Sequence, residues 1–161
     1  MHITFTKKND RSQLTCRRAD GSIDMANLGP SLPYHDLAHY VAELALGIEK
    51  GFFGNVAEGY SIAELLDKDV IRSLGPESWK AEVVARAVGS LATGACTVEQ
   101  FSELVNSELE HLGIDTIAGL DEAIAASMLR EFQSLVGLYS MLADGQSLSL
   151  EFSISERPSV A

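Results

Sequence analysis

Two of the chain's four histidines, His35 and His39, stand four positions apart in a segment that runs from Leu32 to Glu43. Asp36 follows the first histidine directly, and Glu43 lies four positions beyond the second. Imidazole and carboxylate groups are the side chains with which proteins bind zinc, iron or manganese. The two histidines and the two acids are therefore candidate metal ligands, and no other segment of the sequence has residue types and spacing that suggest chemistry as strongly.

A helix is the element that would position these side chains. With 100° per residue, His35, His39 and Glu43 fall on one side, and side chains four apart are neighbours on a helix surface. Asp36 can either bind the ion or orient a histidine ring by accepting its N–H. The opposite side is an apolar stripe that is predicted to face the core, formed by Leu37, Val41, Leu44, Ile48 and Phe52.

Two other interpretations of the same segment stay open. The polar side chains could form an ordinary solvated face, with Asp36 near the helix N-terminus, where an acid complements the dipole. One histidine could instead be a half-buried, hydrogen-bonded residue. Ala42 and Leu46 lie on the histidine side, where a solvated face would carry Lys or Glu. Their presence favours a cleft or a contact with another helix.

A catalytic zinc ion takes three protein ligands and a water, so two histidines need further ligands. The sequence offers four more candidates, which are Glu49, Glu58, Asp67 and His111. Glu58 lies in the glycine-containing stretch 51–59, which has no phosphate-loop lysine and is predicted to be a helix end followed by a turn. His111 is predicted to stand at a helix C-terminus, where its plainer role is to complement the dipole.

Composition limits the class of protein. A length of 161 residues suits one domain, 1–161, with a sizeable core. The net charge of −11 argues against nucleic acid and against anionic membranes as partners. Cys16 and Cys96 have no CxxC partner, and the N-terminus lacks an apolar signal core, so we expect a cytoplasmic protein. No glycine-rich phosphate loop is present, so we expect no nucleotide cofactor. A small-molecule substrate or a second copy of the chain is compatible with this composition.

The periodicity of the chain predicts an α+β fold. Apolar residues alternate with polar ones in the first thirty residues, and Asp20-Gly21 is a hairpin signal, which together predict a three-strand meander over about 2–27. The alternating segment 147–154 predicts a fourth strand that joins the same antiparallel sheet. Between them, a helical region over about 31–144 is predicted to supply about five helices, at 32–50, 62–72, 76–93, 98–112 and 120–143.

The segment His35-Asp36-Leu37-Ala38-His39 resembles the zinc-binding motif of one Coq-type protein family of ubiquinone biosynthesis, in which two histidines, an aspartate and a later glutamate surround the ion. The resemblance implies that His35, Asp36 and His39 are ligands, and that a glutamate would stand at position 51, where this chain has Gly51. The His-Asp pair also resembles that of the HD-type phosphohydrolases. As a whole, the chain resembles a small uncharacterised bacterial protein family whose hallmark is Pro-Tyr-His-Asp-Leu-x-His-Tyr.

The sequence therefore predicts a protein that binds divalent zinc, iron or manganese through a His-Asp-x-x-His helix. An enzyme of this kind would be a metal-dependent hydrolase or lyase, in which the ion polarises an oxygen atom or activates water. The alternative is a non-enzymatic acidic interaction module or a homo-oligomer such as a homodimer, with the histidine face as its contact surface. Whether the protein is an enzyme stays open at this point.

Overall fold

The computed structural model describes residues 1–154, apart from the side chain of Leu32. Four antiparallel strands form one sheet in the order β3-β2-β1-β4, and they are β1 (His2–Lys8), β2 (Arg11–Arg17), β3 (Ile23–Leu28) and β4 (Ser147–Glu151). The predicted meander and its C-terminal partner strand are thus confirmed. The expected single domain extends to residue 161, so its last seven residues lie outside the described part.

The inward face of the sheet follows from the two-residue alternation of the strands. In the register of β1 and β2, Ile3 lies opposite Cys16 and Phe5 lies opposite Leu14. All four side chains are fully buried, and Leu148 of β4 lies opposite Phe5 on the other side. The helices cover this apolar face, which gives the predicted α+β architecture.

Six helices and one short 3-10 turn occupy the middle of the chain. They are α1 (Leu32–Leu46), α2 (Phe52–Glu58), the 3-10 turn (Glu64–Leu66), α3 (Lys68–Ser73), α4 (Pro76–Thr93), α5 (Val98–His111) and α6 (Glu122–Ser140). The predicted bounds of α4 and α5 agree with the structure to within one residue. Local signals set these bounds. Pro76 is the first residue of α4, and Gly94 ends the helix in the left-handed conformation. Thr97 and Gln100 form a capping box at the start of α5.

The first predicted helix, 32–50, is too long. α1 ends at Leu46 because Gly47 adopts a left-handed φ of 64° and its N–H returns to the carbonyl of Glu43. The prediction of a turn after Gly51 is also wrong, because α2 begins at Phe52. The N-terminus of α2 is held by a side chain from α1, and this long-range contact leaves no local pattern.

The predicted helix 62–72 is divided in two. Ser61 and Glu64 exchange the hydrogen bonds of a capping box, but only the 3-10 turn follows. Asp67 then leaves the helical conformation and caps α3, where its side chain accepts hydrogen bonds from the N–H groups of Asp69 and Val70. A second strong N-cap inside the segment therefore overrides the helical periodicity.

α1 is the central element of the fold. It packs against α4, α6 and α2, and every residue from Asp36 to Glu43 is buried. The Tyr40 hydroxyl donates a hydrogen bond to the carbonyl of Glu151 at 3.0 Å, which ties the helix to β4. The predicted core stripe is confirmed by the burial of Leu37 and Val41, but the opposite side of the helix is buried as well.

Within residues 1–154, no helix has both the length and the apolar character that are needed to cross a lipid bilayer.

The contact between α2 and the loop that follows α1 leads to a first prediction. A Cβ at Gly54 would overlap the carbonyl oxygen of Glu49, so Gly54→Ala should destabilise the fold by roughly 1–3 kcal/mol or more. Gly137 of α6 has open space around it, and Gly137→Ala should stabilise the protein by about 0.5–1 kcal/mol. Urea denaturation measures both, and equal effects of the two substitutions would contradict the packing described.

Candidate metal centre

The two histidines lie on successive turns of α1 and face α4. Their ring centroids are 4.8 Å apart and the rings meet edge to face at 86°. His39 is almost completely buried, with 5% of its surface exposed, whereas the His35 side chain is 37% exposed. The alternative of a solvated face is therefore excluded for His39, and His35 is the outer member of the pair.

Glu82 of α4 completes a group of three. Its Oε2 atom lies 2.9 Å from Nε2 of His39 and 3.3 Å from Nε2 of His35, so one oxygen faces both rings. The donor atoms of the three side chains all lie within 4.8 Å of one another. This convergence confirms the expectation that the histidine segment belongs to a candidate metal site.

The sequence argument did not identify Glu82. This residue follows His39 by 43 positions, and only the packing of α4 on α1 brings the two together. One signal was present, because Glu82 is an acid between Ala81 and Val83, which are both buried. A carboxylate in such an apolar stretch needs a partner.

Neighbouring side chains orient the carboxyl group of Glu82 and favour its ionised form. Its second oxygen, Oε1, lies 3.4 Å from Nε of Arg86, and the same guanidinium donates to Glu108 of α5. Hydrogen bonds from His35 and His39 hold the pKa of Glu82 well below its usual range. The carboxylate is therefore an anion with one oxygen directed at the two rings, as a metal ligand needs to be.

Glu43 lies behind His39 rather than beside Glu82. Its side chain is fully buried and accepts hydrogen bonds from the backbone N–H groups of Phe53 at 3.2 Å and Gly54 at 3.1 Å. Its Oε1 atom also lies 3.3 Å from Nδ1 of His39. A carboxylate on the far nitrogen of a histidine fixes the ring so that Nε2 faces the site. The structure thus places the predicted ligand Glu43 in contact with His39, and outside the group of three donors.

His39 carries a proton on each ring nitrogen in the absence of an ion. Burial lowers its pKa, but the hydrogen bonds to Glu43 and Glu82 outweigh burial and raise the pKa to about 9. The imidazolium between two carboxylates is the state that a metal ion replaces, since a metal takes the place of the Nε2 proton.

Asp36 lies beside the centre. It is buried, and its Oδ2 atom has no hydrogen-bond partner among the described residues. Burial raises the pKa of this carboxyl to about 6. Asp36 does not belong to the group of three donors, so its role as a ligand stays a prediction.

The other predicted candidates lie elsewhere. Glu49 and Glu58 are exposed, Asp67 caps α3, and His111 is exposed in the last turn of α5, where its predicted capping role fits. Within the described part of the chain, the cluster that could hold an ion is formed by His35, His39 and Glu82 without any of these four.

The spacing of the three donors fits a divalent ion. Zinc binds histidine nitrogen and carboxylate oxygen at about 2.0–2.2 Å, so neighbouring donors around it are roughly 3.0–3.6 Å apart. The two distances from Glu82, 2.9 Å to His39 and 3.3 Å to His35, are already close to this range. The three donor atoms all lie within 4.8 Å of one another, so the side chains would draw together to enclose an ion.

A cavity of about 410 Å³ adjoins the centre. His35, His39 and Glu82 line it together with Asp36. Most of the remaining wall is apolar and comes from β3, α2, α4 and the segment 62–74. A molecule in this cavity would lie against the candidate ligands.

Comparisons of the chain with protein-family models, with curated proteins and with solved structures found no match. The functional conclusion therefore rests on the geometry of the site.

The charge on His39 leads to a prediction for the metal-free protein. A pKa raised to about 9 in the folded state stabilises the fold fully below the unfolded value of about 6.5, and this contribution is lost as pH rises through 9. The contribution of His39 to the free energy of unfolding should thus fall by at most about 3 kcal/mol between pH 6.5 and 9.5.

Glu82 does not titrate in this window, and Asp36, with a pKa of about 6, adds only a small fall at its lower edge. Burial raises the pKa of the Cys16 thiol to about 12, so Cys16 adds a further fall near the upper edge that His39→Gln leaves unchanged. Urea denaturation at a series of pH values tests the prediction, and His39→Gln should flatten the profile. A wild-type profile that is level or rises over this range would contradict the charged state of His39.

Proposed function

We propose that the protein binds one divalent transition-metal ion through His35, His39 and Glu82, and that it acts on a small molecule held in the adjoining cavity. The observation that supports this most directly is the convergence of two imidazoles from α1 and one carboxylate from α4 at the cavity wall. Two histidines and one carboxylate form the ligand set of many catalytic zinc sites and of non-haem iron sites. Zinc, iron and manganese are therefore the ions we propose.

The surroundings of the centre suit a reactive ion. Three protein ligands leave coordination positions for water or substrate, and an ion bound there would act as a Lewis acid toward a substrate oxygen. Glu43 holds the ring of His39 in place, and Arg86 holds the carboxylate of Glu82. Asp36 lines the same cavity and has an oxygen free to accept a hydrogen bond or to join the ligands. We propose a hydrolase or lyase reaction on this basis.

The position of the histidine face does not support the alternative hypothesis of an interaction module. Asp36, His39 and Glu43 are buried within this chain against α4 and α2, so only His35 offers substantial surface to a partner.

Metal binding is tested on untagged protein that has been stripped with a chelator. Isothermal titration with Zn²⁺ should give one ion per chain, confirmed by elemental analysis. His35→Ala and Glu82→Gln should each weaken binding at least tenfold, because each removes one of three ligands. Both side chains are partly exposed, so these variants are expected to fold.

Matched controls come from α5. His111→Ala and Glu103→Gln change the same residue types at exposed positions away from the centre and should leave zinc binding unchanged. A wild-type protein that retains much less than one equivalent of zinc, or a Glu82→Gln variant that binds like Glu103→Gln, would refute the proposed function.

The role of Glu43 is tested separately. As a positioning residue behind His39, it should contribute 10–100-fold to metal affinity, and this would be lost in Glu43→Gln. The visible spectrum of the Co²⁺-loaded protein should keep its shape, because the ligand set is unchanged. A changed spectrum would instead show that Glu43 binds the ion directly, and exposed Glu49→Gln serves as the control.

A further inference from the structure

The cavity beside the metal centre has a mainly hydrocarbon wall. The apolar side chains that line it include Leu28, Phe52, Ile62, Leu65, Leu74 and Trp79. Its volume of about 410 Å³ corresponds to roughly a dozen water-sized groups at about 30 Å³ each. A cavity of this size and lining favours a small apolar molecule.

The polar groups of the wall are largely engaged within the protein. The side-chain amide of Asn55 donates to the hydroxyl of Ser78 at 2.9 Å and to the carbonyl of Lys50 at 3.1 Å. The hydroxyl of Ser78 donates to the same carbonyl. These hydrogens are therefore not available to a ligand, and the polar groups that remain to recognise one are those of the metal centre and the amide of Asn27 in β3.

The side chains around the cavity do not favour a phosphorylated ligand. In the described part of the chain, no lysine or arginine lines this cavity, and the carboxylates of Asp36 and Glu82 do. Phosphate groups are recognised by Arg and Lys side chains, so a nucleotide or sugar phosphate would lack its usual partners here. A ligand whose polar part is compact and binds metal fits the site better.

An apolar ligand would shield the outer wall of the cavity from water. This wall is formed by the segment 62–74, in which α3 has no buried residue and Leu66 is 69% exposed although it lines the cavity. Ile71 and Leu74 of the same segment are only half-buried. A hydrocarbon ligand would remove these side chains from water, which is favourable.

We propose that the cavity binds a largely hydrocarbon molecule of about a dozen non-hydrogen atoms, and that its single oxygen-based head group meets the ion at His35, His39 and Glu82. Hydrophobic carboxylic acids, esters and ketones have this chemistry. The head-group part rests on the proposed function, whereas the apolar part follows from the cavity wall alone.

Trp79 provides the measurement, because it is the only tryptophan of the chain and it lines the cavity. Its fluorescence is followed while zinc-loaded protein is titrated with octanohydroxamic acid, which combines an apolar chain with a metal-binding head. Acetohydroxamic acid supplies the head alone, and 1-octanol supplies the chain alone. Octanohydroxamic acid should bind at least tenfold more tightly than either.

A cavity variant and a matched control separate this effect from metal binding. Leu74→Asp places a charge in the wall of the cavity. It should weaken the binding of octanohydroxamic acid at least tenfold, while the protein still binds one zinc ion per chain. Leu104→Asp makes the same change on the exposed side of α5 and should have no effect. Equal affinities for the two hydroxamic acids, or an unchanged affinity in Leu74→Asp, would overturn the proposal.

The test also distinguishes this proposal from the proposed function. If no zinc binds, the proposed function fails, and metal-free protein is titrated with 1-octanol. A change in Trp79 fluorescence that is absent in Leu74→Asp would still support the apolar occupant. The absence of any change in wild-type protein would overturn that part too.

Discussion

The buried carboxylate of Glu43 is the constraint on which the centre of this structure depends. A fully buried anion is costly unless hydrogen bonds and an opposite charge compensate it, and here two backbone N–H groups of α2 and the ring of His39 do so. The same carboxylate fills the space where Gly51 would carry a Cβ, so glycine is required at that position. One side chain therefore sets the start of α2, the end of the 46–52 connection and the orientation of a candidate ligand.

From Glu43, alternating charges extend across three helices. His39 lies between Glu43 and Glu82, and Arg86 lies between Glu82 and Glu108 of α5. Each cation is shared by two acids, so the acids are paired even though the chain as a whole is strongly acidic. An ion at the centre would replace the proton on His39 and leave the rest of this arrangement intact. The structure is thus organised for a cation at this point, and the apolar cavity lies next to it.

Much of the fold could be predicted because its signals are local. The alternation of Ile3 and Phe5 predicts a strand with one buried face, and the capping residues around α4 and α5 predict their bounds. The failures have physical causes of two kinds. At α2, the deciding interaction comes from Glu43, ten positions earlier, and no local pattern records it. At Asp67, a second local N-cap stands inside the segment that begins with the capping box of Ser61, and the helical periodicity did not reveal the break between them.

The candidate site also has one part that follows from a local sequence pattern and another that depends on long-range packing. The spacing of His35 and His39 is a property of one helix, so the sequence by itself determined that both rings share a side, and it favoured a cleft or a helix contact there without excluding a solvated face. The sequence could not determine what faces them. Glu82 belongs to another helix, 43 positions away, and it reaches Nε2 of His39 only because α4 packs along α1. Glu43 is buried behind the ring by the packing of α2. Ligands from one helix follow from its periodicity, whereas a ligand from a second helix depends on the crossing of the two, which only the tertiary structure decides.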